Sequence, residues 1–287
     1  NRCLVGSEMC IRDRLVIVVI IPVFNEEKNI EKVINSVSEY CDKLIVVNDC
    51  STDNTKHILS SLNQSKLIII DNDKNLGIGG ATKVGLKKAL EIKAEFIVKF
   101  DGDGQHLAQD IPKFLDRLQN DNLDFIKGNR FKSSISEMPF YKLIGNLLST
   151  NLQKIVTGNF SISDPNNGFL AFRSHIFKKI KFKHLRDDYF FENSLLLNLN
   201  IFDFKISEEP IETIYAEEKS SIPMLWGSLK LFPVFVSFLY TKNNLDMKAN
   251  LSMGSIVFYL INFFLILKIF YFDLISPYLI IGFIFLY

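Results

Sequence analysis

The stretch Phe100-Asp101-Gly102-Asp103-Gly104-Gln105-His106 holds the densest chemistry in the sequence. Its two carboxylates stand at i and i+2 and close the apolar run Phe96-Ile97-Val98-Lys99-Phe100. Negative charge at the end of a buried strand is costly when nothing compensates it. A hard divalent cation, Mg2+ or Mn2+, bridging the carboxylates to a diphosphate relieves that cost. The flanking glycines let backbone come close to such a ligand. A solvated turn would look similar locally, but two further polar loops fall at the same place relative to their own strands.

One of them is Asn48-Asp49-Cys50-Ser51-Thr52-Asp53, after the run Leu44-Ile45-Val46-Val47. Asp49 follows the strand directly, where a carboxylate can accept hydrogen bonds from a base or a ribose. Asp53, with Thr55 beyond it, suits the N-cap of the next helix. The other is Pro22-Val23-Phe24-Asn25-Glu26-Glu27. A dinucleotide-binding Rossmann domain needs its glycine-rich turn here. There is no Gly, which disfavours NAD or FAD. Gly77-Ile78-Gly79-Gly80 comes later, after the third strand. It reads either as a flexible turn entering a helix or as backbone approaching a phosphate or sugar.

The pattern from residue 15 onward supplies the elements that must hold these loops. Leu15 to Ile21 is a continuous, mostly β-branched run, the mark of a buried parallel strand. Glu26 to Ser38 carries Ile30, Val33, Ile34 and Val37 at helical spacing. Leu44 to Val47 is a strand, and a helix follows Asp53. Leu67 to Ile70 is a strand, and Ala81 to Ile92 a helix. Phe96 to Phe100 is a strand, and Ile111 to Leu118 a helix. This alternation predicts an α/β fold: a mostly parallel sheet with helices on both faces. Ligands of such sheets bind beyond the carboxyl ends of the strands. Residues 130–225 are mixed, with helices expected over Tyr141 to Val156 and Asp188 to Leu199.

Of the 287 residues, 48% are hydrophobic and 23% charged, which excludes intrinsic disorder. Lys+Arg 33 against Asp+Glu 32 leaves +1, without the basic excess of a nucleic-acid binder. Four Cys and four scattered His make neither a disulfide scaffold nor a zinc cluster. Residues 1–14 lack periodicity and read as a non-native or disordered segment. Residues 15–225 read as the catalytic domain and 226–250 as an interfacial helix or linker. Met224 to Tyr240, with Trp226, suits either the membrane interface or a core helix. Leu251 to Phe272 is apolar enough to span a bilayer. Tyr278 to Tyr287 begins a second such run, so 251–287 reads as a truncated transmembrane hairpin. Lys242 and Lys248 before the first span favour a cytoplasmic location for the preceding domain at the membrane.

Taken together, the motifs resemble family 2 glycosyltransferases, above all the dolichol- or polyprenyl-phosphate mannose and glucose synthases. The resemblance rests on Pro22-Val23-Phe24-Asn25-Glu26, Asn48-Asp49-x-Ser51-x-Asp53, Asn75-Leu76-Gly77-x-Gly79-Gly80-Ala81 and Asp101-x-Asp103-x-Gln105-His106. It continues through Gly128-Asn129-Arg130-Phe131, Asp164-Pro165-x-x-Gly168-Phe169, Phe191-Glu192 and Ile214-Tyr215-x-Glu217-x-Lys219-Ser220-Ser221. It covers about residues 15–225.

The resemblance implies a GT-A-type sheet and a nucleotide-diphosphate-sugar donor, GDP-mannose or UDP-glucose. Asp49 and Glu26 would contact the nucleoside, with Pro22, Phe24, Gly79, Gly80 and Gly102 also lining the donor site. Asp101, Asp103 and Gln105 would hold the metal and sugar-diphosphate. Arg130 would pair with phosphate, Asp164 would lie near the reacting sugar, and Lys219 with Ser220 would hold phosphate. Where some synthases place a second Arg near Lys219, this chain offers only Lys, a point charge without the guanidinium fork.

The acceptor implied is a polyprenyl or dolichyl phosphate, already anionic near neutral pH and able to attack the anomeric carbon without a strong base. Transfer with inversion is expected. A processive polysaccharide synthase would add Gln-x-x-Arg-Trp, and the only Trp, Trp226, lacks that context. A transferase with another acceptor (glycan, glycolipid or protein) and a non-catalytic nucleotide-sugar-binding scaffold are the alternatives. Retention of both acids and Arg130 disfavours the scaffold.

Overall fold

The computed structural model describes residues 16–131, 150, 162–165 and 167–214, all within the first of the two units (residues 1–241 and 242–287) into which the chain divides. The described strands are β1 (Ile17–Val23), β2 (Lys43–Asn48), β3 (Leu67–Asp71), β4 (Phe96–Lys99), β5 (Phe125–Asn129), β6 (Leu170–Arg173) and β7 (Ile206–Pro210). The α-helices described in full are α1 (Ile30–Val37), α2 (Thr55–Ser61), α3 (Gly77–Glu91), α4 (Ile111–Asn120) and α5 (Phe191–Ile201). The strands form one sheet in the order β3-β2-β1-β4-β6-β5-β7. β1 runs parallel to β2 and β4, β2 to β3, and β5 to β7, whereas β6 is antiparallel to both β4 and β5.

The expected mostly parallel sheet is therefore present, and its helices lie on both faces. Val19, Ile21 and Val23 of β1 pack with α1 and α4, and Val18 and Ile20 pack with α3 and α5. Both faces of β1 are apolar because both are covered, which explains the unbroken run. α3 comes so close that a Cβ on Gly85 would lie 2.4 Å from Ile20 Cγ2.

Several boundaries differ from the sequence reading. β1 continues to Val23, two residues past Ile21, because it pairs with β2 as far as Asn48. α1 starts at Ile30 rather than Glu26, since the residues between are held in a loop. α3 starts at Gly77 rather than Ala81, so the glycine run lies inside the helix. β5, β6 and β7 carry no strand expectation from the sequence. They are short, and Lys127 and the acidic Ser207-Glu208-Glu209 break their apolar pattern. Among the described residues no helix is long and apolar enough to cross a membrane. The expectations for residues 1–14, 224–250 and 251–287 lie outside the described residues, as does that for 141–156 apart from Thr150.

Candidate active site

Register brings the loops to one edge. Val23 lies opposite Asn48, and Asn48 opposite Asp71, so β1, β2 and β3 end level. β4 stops three positions earlier, with Lys99 opposite Ile20. Phe100 N–H then donates to Ile20 O (2.9 Å), and the Asp101–Asp103 turn runs beside the end of β1. A Cβ on Gly102 would touch Val23 and Ile21 in ordinary contact.

The loops after β1 and β2 are clasped together. Asn25, in the left-handed region at φ 58°, donates its N–H to Ser51 Oγ (3.0 Å) and accepts from Thr52 N–H (2.8 Å) through Oδ1. Glu26 N–H donates to Thr55 Oγ1 (2.9 Å), and Glu27 N–H to Asp53 Oδ2 (3.2 Å). Asp53 also accepts from Thr55 N–H (3.0 Å) at the start of α2, but the N-cap position expected of it is held by Asn54, one residue later. Asp49 is buried, and its Oδ1 accepts from Asn72 Nδ2 (2.7 Å) and Leu76 N–H (2.9 Å). It thereby anchors the loop between β3 and α3. Phe24 stands exposed at the rim.

The acidic pair has a partner that the sequence reading overlooked. Lys99 is fully buried, and its Nζ donates to Asp101 Oδ1 (2.6 Å), Glu192 Oε1 (2.9 Å) and Gly168 O (3.2 Å). Burial alone would lower the Lys99 pKa, but Asp101 and Glu192 outweigh it and raise it. Burial would likewise raise that of Asp101. The adjacent Lys99, with His106 Nε2 at 3.7 Å, instead holds it well below the usual carboxylate range. Asp101 thus shares one buried cation, Lys99, with Glu192, and that contact offsets part of the cost of its charge. Gly168 makes this possible: a Cβ there would lie 1.8 Å from Asp101 Oδ2.

Asp103 Oδ1 accepts the Gln105 N–H (3.0 Å). Gln105 O in turn accepts from Ile214 N–H (2.9 Å), and His106 bridges to Thr213, tying the turn to the chain that leaves β7. The described residues bring no group of three His, Cys, Asp or Glu together. The donor chemistry still suits a hard cation. Mg2+ commonly takes one or two carboxylates and fills its shell with water and phosphate oxygens. Asp103 and Asp101, followed by the Gln105 amide, supply oxygen donors of that kind.

A second charged pair lies across β6. Arg130, just after β5, donates from Nε to Asp164 Oδ2 (2.7 Å) and from Nη2 to Asp164 Oδ1 (2.8 Å). Asp164, expected beside the reacting sugar, is fully buried. Burial would raise its pKa, but the bidentate guanidinium lowers it. Lys127, also fully buried, donates to Asn167 O. Burial pulls its pKa down to about 8, against the pull of Glu192 and Asp164. Glu208 of β7 accepts from Asn129 Nδ2 (2.7 Å), Ser163 N–H (2.5 Å) and Asp164 N–H (3.0 Å).

The glycine run does approach other backbone closely, but that backbone is the chain's own. Gly80 N–H donates to Asp187 O (2.9 Å), and a Cβ on Gly79 would lie 2.5 Å from Arg186 O. Gly79 and Gly80 are buried behind this segment. Pro22, Glu26, Asp49, Asp101, Asp103, Gln105, Arg130 and Asp164 all belong to loops or strand ends of the sheet, while Lys219 lies outside the described residues. Lys99, Lys127 and Glu208 are the charged residues that sequence reasoning missed, and Glu192 had no assigned role. The lysines had a signal, each interrupting an otherwise apolar strand. Glu208, in Ser-Glu-Glu-Pro, had none.

Residues 18–181 match the family model described as Glycosyl transferase family 2. The UDP-N-acetylglucosamine–dolichyl-phosphate N-acetylglucosaminyltransferase of Methanococcus voltae is 34% identical over 218 residues, 70% of this chain and 86% of that one. The polyprenol monophosphomannose synthase of Mycolicibacterium smegmatis is 23% identical over 218 residues, 73% of this chain and 81% of that one. Among solved structures, glucosyl-3-phosphoglycerate synthase from Mycobacterium tuberculosis, in complex with Mn2+ and UDP-glucose, superposes with a TM-score of 0.56. It is 18% identical and covers 79% of this chain and 80% of its own, a likeness of fold.

Proposed function

From the premise that this chain belongs to glycosyltransferase family 2, we propose that it transfers a sugar, with inversion, from a nucleotide-diphosphate sugar to a polyprenyl or dolichyl phosphate. The observation that carries the reading is the meeting, along one sheet edge, of the Asp101–Asp103 turn with the Arg130–Asp164 pair. The 34% identity to a dolichyl-phosphate N-acetylglucosaminyltransferase supports the lipid acceptor and favours UDP-N-acetylglucosamine as donor. GDP-mannose or UDP-glucose is the second reading, supported by the polyprenol-phosphate mannose synthase and by a dolichyl-phosphate glucosyltransferase 24% identical to this chain.

In this reading Asp49 and Glu26 would face the nucleoside, and Asp101, Asp103 and Gln105 would hold a divalent cation. When bound, that cation supplies positive charge to the departing diphosphate. Lys99 and Gly168 fix the Asp101 carboxylate before substrate arrives. Asp164 holds the Arg130 fork in one orientation, so its positive charge is preorganised for phosphate. The acceptor phosphate oxygen forms a bond to the anomeric carbon while the bond from that carbon to the diphosphate oxygen breaks. The electron pair leaves with the nucleoside diphosphate. No side chain needs to remove a proton, because the acceptor is already anionic. Orientation and charge neutralisation then carry catalysis. The apolar run at 251–272, with Lys242 and Lys248 before it, would hold the unit at the cytoplasmic face of a membrane.

Membranes bearing the chain, incubated with labelled UDP-N-acetylglucosamine, GDP-mannose or UDP-glucose and extracted with organic solvent, test this. Lipid-soluble label from one donor is expected, lost on chelation and reduced by about 100-fold or more in Asp103→Ala. Label only in water-soluble product would move the acceptor elsewhere. Donor binding without turnover would establish the scaffold reading.

A further inference from the structure

Glu208 lies on β7, in none of the motifs singled out in the sequence, yet its carboxylate joins three segments. Oε1 accepts two consecutive backbone N–H groups, Ser163 (2.5 Å) and Asp164 (3.0 Å). Oε2 accepts Asn129 Nδ2 (2.7 Å), and Asn129 Oδ1 accepts the Phe131 N–H (2.8 Å). Arg130 sits between those two residues, and its own N–H donates to Asp164 Oδ2 (3.1 Å). One buried carboxylate therefore grips both arms of the Arg130–Asp164 pair: the backbone of Asp164 on one side and the 129–131 turn on the other. Successive N–H groups converging on a single oxygen form a small anion nest, here filled by the protein's own side chain.

We propose that Glu208 is a positioning residue for transfer, acting through Asp164 to set the Arg130 guanidinium. This rests on the reading of Arg130 as a phosphate-facing group. A glutamine cannot serve in its place. Its amide nitrogen would face the Asn129 amide nitrogen, donor against donor, or else its single oxygen would have to leave the nest. An aspartate keeps the charge but shortens the reach by one methylene.

The test is a double-mutant cycle on the full chain, with Glu208→Gln in the wild-type and Arg130→Ala backgrounds. In the wild-type background kcat/KM falls about tenfold. In the Arg130→Ala background the same change costs less than about twofold, because the group it positions is gone. Equal losses in both backgrounds overturn the proposal. So does a lowered melting temperature with kcat and KM unchanged, which would mark Glu208 as structural only. If Glu208→Gln does not fold, Glu208→Asp must show the same dependence on Arg130 with a smaller loss. A second readout needs no turnover. Amide hydrogen exchange at Ser163 and Asp164 must quicken in Glu208→Gln while exchange in β1 and β2 stays unchanged. Unchanged exchange at these two amides sinks the positioning role by itself. Absence of transfer by the wild-type chain with any donor sinks the functional reading instead.

Discussion

The two halves of the sheet edge are organised by different physics. On the β1–β2 side, loops 24–27 and 51–55 are joined by hydrogen bonds between backbone N–H groups and short polar side chains, several of them exposed. On the β4–β6–β5 side, Lys99, Lys127, Asp164, Glu192 and Glu208 are buried, and the contacts run between charges or from charges to backbone. A neutral bond on the first side contributes about 0.5–1.5 kcal/mol, and its groups can turn to water when it is lost. Removing one member of a buried pair leaves a charge with nowhere to go, at about 3–5 kcal/mol. The β1–β2 side can therefore tolerate change, whereas the β4–β6–β5 side is held as one unit.

Lys99→Met should break this comparison most severely. It strands Asp101 and Glu192 together, and a loss of stability at the upper end of that range, about 5 kcal/mol, is expected by denaturant unfolding. Lys99→Arg should recover little, because the fully buried site offers no room for the larger fork.

Arg130→Ala comes next. Besides weakening transfer, it leaves Asp164 buried without its cation, so a stability loss of about 3 kcal/mol should accompany the kinetic defect. An unchanged unfolding midpoint would show that the pair does not hold this side together.

Lys127 sharpens the comparison through pH. Its folded-state pKa is depressed to about 8. Between that value and the unfolded one near 10.4 the unfolded chain binds more protons, so stability should rise with pH across that window. Below pH 8 the strain of the buried ammonium is fully present. Relative to wild type, Lys127→Met should remove a rise on the order of 1–3 kcal/mol. Parallel stability profiles for the two proteins would refute the assignment.

The smallest effect belongs to the other side. Ser51→Ala removes the acceptor of the Asn25 N–H and should cost about 1 kcal/mol, with little change in kcat. If it cost as much as Lys99→Met, the contrast between the two sides would fail.

Much of the β1–β4 half was legible because its signals are local. β-branched runs, helical spacing and polar residues at strand ends all report on neighbours within a few positions. The glycine run shows where that stops. Its small residues signal close approach, but only the fold shows that Arg186 and Asp187 are what approaches. Gly168 is similar: Asp101, which its missing side chain accommodates, lies 67 positions away, from 168 − 101.

By itself, then, the sequence determined the alternating scaffold and the place of the acidic pair at the mouth of the sheet, since periodicity and strand ends are written in adjacent residues. Tertiary structure alone decided the reversed β6, the order of the last three strands and the pairing of the charges. Lys99 meets Glu192 from α5, and Arg130 meets Asp164 from 34 positions further along the chain. Which buried charge neutralises which depends on distances between segments far apart in the chain, and no local pattern carries that information.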